Sequence, residues 1–281
     1  MILTRERAGF RGLFALCLLG LCAMLVSTAA NAGPVSSRVC EPVSLADMQV
    51  EFRGEPPQAI TAQTADGLTL AGAYWPPDHG VDQIVVVFHG NSYNHIVMAV
   101  RAEPLRVGGR GVLVASCRGL GDNPGKPSET GLYRDADAWV AKARELQPEA
   151  RVYLFGFSLG GAVALEMAVR HDVTAVATLA AFTSLKDAAP ALLRPFVTEM
   201  YDNLETITRV NEPILLLHGT TDETIDPHMA ERLEKAGGAN VIRINLTGGG
   251  HWVPLDSIVE KIWQQWEAAE AGKPAAAENA P

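Results

Sequence analysis

The stretch VYLFGFSLGGAVALEMAV, residues 152–169, decides the reading of the chain. Its first four residues are an apolar run of strand length, and the pattern turns helical from Leu159, so GFSLGG between them marks a tight strand-to-helix turn. Gly156, Ser158 and Gly160 form G-x-S-x-G on that turn. A serine held there takes a strained backbone, and glycines two before and two after it avoid clashes. The helix beginning at Leu159 points its positive end at the turn, which favours negative charge developing beside Ser158. The turn reads as the seat of a nucleophile.

Outward from this turn, apolar runs of strand length alternate with longer amphipathic stretches. The expected strands are Met48–Phe52, Leu68–Tyr74, Ile84–Phe88, Val112–Ala115, Val152–Phe155, Ala175–Leu179, Ile214–Leu217 and Val241–Asn245. The central runs are rich in Val, Leu and Ile without polar alternation, as strands buried on both faces are. Helices are expected over His95–Arg106, Tyr133–Glu145, Leu159–Arg170, Pro227–Ala236 and Leu255–Ala269. This order implies an α/β fold, a mostly parallel eight-stranded sheet with helices on both faces. Residues Ser184–Val210 join two strands, contain Pro190 and Pro195, and are too long for a plain connection, so a small helical cap is expected there.

A serine hydroxyl is a weak nucleophile, and its activation needs a base oriented by a carboxylate. LLLHGTTDETI puts Asp222 just beyond a strand, and TGGGHW puts His251 beyond the next, both at the sheet edge where such architectures place ligands. Glu223 and Asp226 compete for the acid, but Asp222 comes first after the turn. For the base, only His251 follows the acid. His218 precedes a glycine at a strand end, where a structural histidine is an equal reading, and His79, His95, His171 and His228 fall in expected surface segments. Two backbone N–H donors are also required for the carbonyl oxygen: Leu159, after the serine, and Asn91, in the FHGN loop after an earlier strand. His89 of that loop reads as a structural brace.

The 281 residues are 48% hydrophobic and 20% charged, ordinary for one globular domain. At the N-terminus, Arg5, Arg7 and Arg11 precede an apolar run from Leu13 to Val26, and Ala30-Asn31-Ala32 follows as a small-x-small cleavage pattern. Residues 1–32 therefore read as a signal peptide removed after Ala32, with the protein secreted or periplasmic and no stable membrane insertion afterwards; the run is short for a bilayer core of about 30 Å. Cys22 follows Leu21 rather than a small residue, against lipid attachment. Loss of three arginines and one glutamate takes the formal charge of −9 to −11, which argues against nucleic-acid partners. Of the two remaining cysteines, Cys40 and Cys117 either pair or stand as one buried thiol and one near the N-terminus; the sequence leaves both open. No ligand spacing for zinc occurs, and no cofactor is implied. The domain is bounded as 33–271, and the Ala/Pro-rich tail 272–281 reads as disordered.

With these residues in hand, the sequence resembles the alpha/beta-hydrolase superfamily, in particular the small abhydrolase-domain branch that includes acyl-protein thioesterases and lysophospholipid lipases. The likeness runs from about Leu68 to Trp266 and includes RGLG at Arg118–Gly121, GKPSETGLYRDADA at Gly125–Ala138, AFTSLKDAA at Ala181–Ala189 and HGTTDETI at His218–Ile225. It implies Ser158 as nucleophile, Asp222 as acid, His251 as base, and Asn91 and Leu159 as oxyanion donors. Relatives often carry serine where this chain has Asn123. The implied activity is hydrolysis of an ester or thioester of a small-molecule or lipid-like acyl group through an acyl-enzyme. Relatives in this branch are often described as serine aminopeptidase-like, so amide or peptide cleavage by the same triad is one alternative. A non-catalytic binding protein of the same fold is the other, although such proteins usually lose a triad member.

Overall fold

The computed structural model describes residues 50–91 and 94–272. Eight strands form one sheet: β1 Gln58–Gln63, β2 Thr69–Trp75, β3 Gln83–Phe88, β4 Gly111–Ala115, β5 Arg151–Phe157, β6 Ala175–Leu179, β7 Ile214–Gly219 and β8 Val241–Leu246. Their order is β1-β2-β4-β3-β5-β6-β7-β8. β1 and β2 join antiparallel at one edge, and from β4 to β8 every pairing is parallel.

Burial on both faces explains the unbroken apolar runs. Val85 and Val87 of β3 face one layer, with Met98 and Ala99 of α1 (His95–Ala102) and Ile262, Trp263 and Trp266 of α5 (Val259–Glu270). Ile84, Val86 and Phe88 face the other, with Leu132 and Trp139 of α2 (Glu129–Leu146), Ala162 and Leu165 of α3 (Leu159–Arg170) and Leu233 of α4 (His228–Gly237).

Several boundaries differ from the sequence expectation. Residues 50–52 are not a strand, and Met48 lies outside the described residues. Phe52 instead sets its ring edge-on against Trp75 at 5.6 Å, and the N–H groups of Arg53 and Gly54 donate to the Glu103 carboxylate at 3.0 and 2.9 Å. The expected first helix divides at Pro104: α1 stops at Ala102, and Glu103–Arg106 continue as a tighter 3₁₀ turn. α2 starts earlier than expected because Ser128, in extended conformation, accepts the Gly131 N–H at 3.1 Å and caps it.

Between β6 and β7 the expected cap is a chain of single turns, Leu185–Ala188, Arg194–Phe196, Asn203–Thr206 and Ile207–Arg209. It is tied down at Glu129, whose carboxylate accepts the N–H groups of Met200 and Tyr201 at 2.8 and 3.0 Å. Leu192 and Phe196 stay exposed. The loop carrying Asn123 is braced rather than open: the Asn123 amide accepts from Ala71 N–H at 2.8 Å and donates to Cys117 O at 3.2 Å. The expected signal segment, Cys40 and residues 273–281 lie outside the described residues, and Cys117 is buried.

Candidate active site

Ser158 sits between β5 and α3 with φ 52° and ψ −116°, a backbone that side-chain-bearing residues rarely adopt. The surroundings hold it there. Its N–H donates to Leu179 O of β6 at 2.9 Å, and its carbonyl accepts the Gly161 N–H at 2.9 Å. The flanking glycines are required by close approach: a Cβ on Gly156 would lie 2.2 Å from Gly160 O, and one on Gly160 would lie 2.1 Å from Phe88 O. The turn is thus pressed against the end of β3, whose following loop carries His89 and Asn91.

Asp222 lies three residues beyond β7, its side chain fully buried. Its Oδ1 accepts the N–H groups of Thr224 and Ile225 at 2.8 and 3.0 Å, so the loop's own backbone fixes the carboxylate. Its Oδ2 faces His251 Nδ1 at 2.9 Å. On the far side of that ring, His251 Nε2 lies 3.2 Å from Ser158 Oγ. Burial alone would raise the Asp222 pKa, but the nearby N–H of His218, the hydrogen bond and charge of His251 and the Ile225 N–H outweigh it and hold the carboxyl well below the usual carboxylate range. The carboxylate is ionised throughout the neutral range. The His251 ring packs on Phe157, centroids 5.1 Å apart, and Phe157 meets Trp252 edge-on at 4.8 Å.

The loops that carry Asp222 and His251 are stitched together. Thr220 N–H donates to Leu246 O at 3.0 Å, Thr221 N–H to Gly249 O at 2.9 Å, and Gly248 N–H to Thr220 Oγ1 at 2.9 Å. Gly219 permits the approach, since a Cβ there would lie 2.3 Å from the carbonyl oxygens of Gly249 and Gly250.

Glu223 and Asp226, the competing acids, are exposed, and Asp226 caps the His228 N–H at 3.0 Å. Leu159 is the buried first residue of α3, and Asn91 follows β3 in the FHGN loop, so both expected oxyanion donors lie on segments that meet at the serine turn. His89 is buried, its Nδ1 2.8 Å from Gly90 O, and burial pushes its pKa down to about 4. His95 departs from the surface expectation: it opens the buried stripe His95, Met98, Ala99, Ala102 of α1, and burial lowers its pKa too. His218, weighed from sequence as a competing base with a structural role equally favoured, also lies here. His218 is buried, with Nε2 3.1 Å from Asp222 Oδ2. Among the described residues no group of three or more His, Cys, Asp or Glu is gathered as metal ligands would be. A cavity of about 360 Å³ is lined by Glu129, Tyr133, Glu166, Asp202 and Arg209 among others, and none of Ser158, Asp222 and His251 lines it.

Comparison with known proteins bears on this arrangement. Residues 79–204 match the family model described as serine aminopeptidase, S33. Protein Rv2307c of Mycobacterium tuberculosis is 35% identical over 201 residues, covering 68% of this chain and 71% of that protein. Human alpha/beta hydrolase domain-containing protein 17B is 33% identical over 112 residues, 38% of each chain. The chain belongs to the alpha/beta-hydrolase superfamily. Solved structures of this superfamily share its fold: the Pyrococcus furiosus esterase Pf2001 superposes with TM-score 0.66 at 16% identity, over 83% of this chain and 98% of the esterase. XC6422 of Xanthomonas campestris, described as an a/b serine hydrolase without lid, gives 0.58 at 18% identity, over 81% and 100%.

Proposed function

We propose that this alpha/beta hydrolase is a serine hydrolase that cleaves a carboxylic ester or thioester through an acyl-enzyme. The observation that carries the reading is the continuous relay from Asp222 Oδ2 through the two nitrogens of His251 to Ser158 Oγ, at 2.9 and 3.2 Å. With Nδ1–H donated to an ionised carboxylate, His251 presents a lone pair at Nε2 toward the serine hydroxyl. Ser158 Oγ attacks the carbonyl carbon while its proton passes to His251 Nε2, and the N–H groups of Leu159 and Asn91 receive the oxyanion. His251 then protonates the leaving alcohol or thiol, and water repeats the sequence to release the acid. The substrate side is a small-molecule or lipid-like acyl compound. The family description of serine aminopeptidase supports amide cleavage by the same three residues as the second reading. The N-terminal charge and apolar pattern supports export, tested by the N-terminal sequence of the mature protein.

The test is fluorophosphonate labelling of wild type and Ser158→Ala, with p-nitrophenyl esters of increasing chain length and amino-acid nitroanilides as substrates. Labelling abolished in a folded Ser158→Ala, with ester turnover exceeding anilide turnover, is the expected result. Labelling that survives the substitution, or a wild type that neither labels nor turns over, would overturn the reading.

A further inference from the structure

We propose that His218 is a positioning residue for the acid, whose Nε2–H keeps Asp222 Oδ2 turned toward His251; the inference rests on the serine-hydrolase reading above. His218 is in β7, only 1% exposed, and its ring reaches the loop that carries Asp222. Nε2 has two neighbours, Ile225 O and Asp222 Oδ2, each at 3.1 Å. A carbonyl and an ionised carboxylate only accept hydrogen bonds, so Nε2 is the nitrogen that carries the proton. That N–H bonds Ile225 O and sets its positive end beside Oδ2.

The two oxygens of Asp222 are held differently. Oδ1 is fixed by two backbone N–H groups of its own loop. Oδ2 has His251 Nδ1 on one side and His218 Nε2 on the other. His251 alternates between neutral and protonated in each cycle, so the charge that its Nδ1–H presents to Oδ2 changes even though that bond persists. His218 supplies a donor that takes no part in that alternation. Its other nitrogen, Nδ1, is buried with no hydrogen-bond partner among the described residues, a cost that a core-filling apolar side chain would avoid. What the imidazole adds over such a side chain is the N–H at Nε2.

Two polar substitutions separate this role from packing. His218→Gln places an amide N–H near the position of Nε2, whereas the shorter His218→Asn cannot reach Oδ2. The readouts are kcat/KM on a p-nitrophenyl ester and the fluorophosphonate labelling rate, both per folded molecule. His218→Asn should lose about 10- to 100-fold, as expected for removing a buried N–H dipole that faces a charged group. His218→Gln should stay within about fivefold of wild type, and His218→Asn should lose nothing further in an Asp222→Asn background, because both act on one oxygen. Equal rates for the two variants, or losses that multiply with Asp222→Asn, would overturn the proposal. Ser158→Ala in parallel keeps the two questions apart: survival of its labelling refutes the hydrolase reading, whereas its loss alongside equal His218 variants refutes only the role of His218.

Discussion

Replacing Asp222 with Asn tests the relay at its most constrained point, because the surroundings dictate how the new amide must lie. The N–H groups of Thr224 and Ile225 can only donate, so the amide oxygen takes the place of Oδ1. The NH₂ group then occupies the place of Oδ2 and faces His251 Nδ1, 2.9 Å away in the native protein. The reverse orientation would set NH₂ against two backbone donors, which cannot give up their protons, whereas the two imidazoles facing the place of Oδ2 can change tautomer. His251 can meet a donor at Nδ1 only by moving its proton to Nε2, which then points an N–H at Ser158 Oγ and holds no lone pair for the serine proton. The same tautomer error in a serine protease lowers turnover about 10⁴-fold, equivalent to about 5 kcal/mol of barrier. The expected result here is a fall of that order in kcat/KM on a p-nitrophenyl ester and a matching fall in fluorophosphonate labelling rate, with the thermal midpoint showing the protein folded. A loss smaller than about tenfold in folded protein would refute the argument that Asp222 sets the tautomer of His251.

Other perturbations read other parts of the structure. Gly160→Ala drives a Cβ to 2.1 Å from Phe88 O, so the turn must shift; labelling at Ser158 should fall at least about tenfold even in folded protein, checked by labelling against circular dichroism. His89 is held neutral down to about pH 4 in the folded state while the unfolded chain takes up the proton near 6.5, so stability should decline as pH falls through that window. The decline from this one group approaches ~3 kcal/mol, and urea titrations from pH 7 to 4 should show a shallower slope in His89→Gln. Asp135, fully buried, accepts two bonds from the Arg118 guanidinium and one from the Arg118 N–H; Asp135→Ala leaves a buried arginine half-paired and should cost about 3–5 kcal/mol in denaturant unfolding.

The central sheet was legible because β3, β4 and β6 are buried along their whole length, and only continuous apolar runs satisfy both faces. The α3 helix was read to its observed limits, Leu159–Arg170, since the glycine-flanked serine marks its start. The edge strand β1 was not legible: of QAITAQ only Ala62 is buried, and the segment becomes a strand by pairing with β2 rather than by its own apolar pattern. The start of α2 was missed because its signal is a single serine hydroxyl at Ser128 among polar residues. At the site, chain order sufficed to bring Ser158, Asp222 and His251 together, but the place of His218 depends on how the 218–225 loop turns back. Only that turn sets its Nε2 beside Asp222 Oδ2.

The stitching of the Asp222 and His251 loops through Thr220, Thr221, Gly248 and Gly249 makes them one cassette in any attempt to rebuild this protein. Replacing the His251 loop alone would break the seam that closes over Gly219, whereas the two loops moved together carry their internal registration with them. The 3.2 Å gap between His251 and Ser158 is then the joint between two separately anchored pieces.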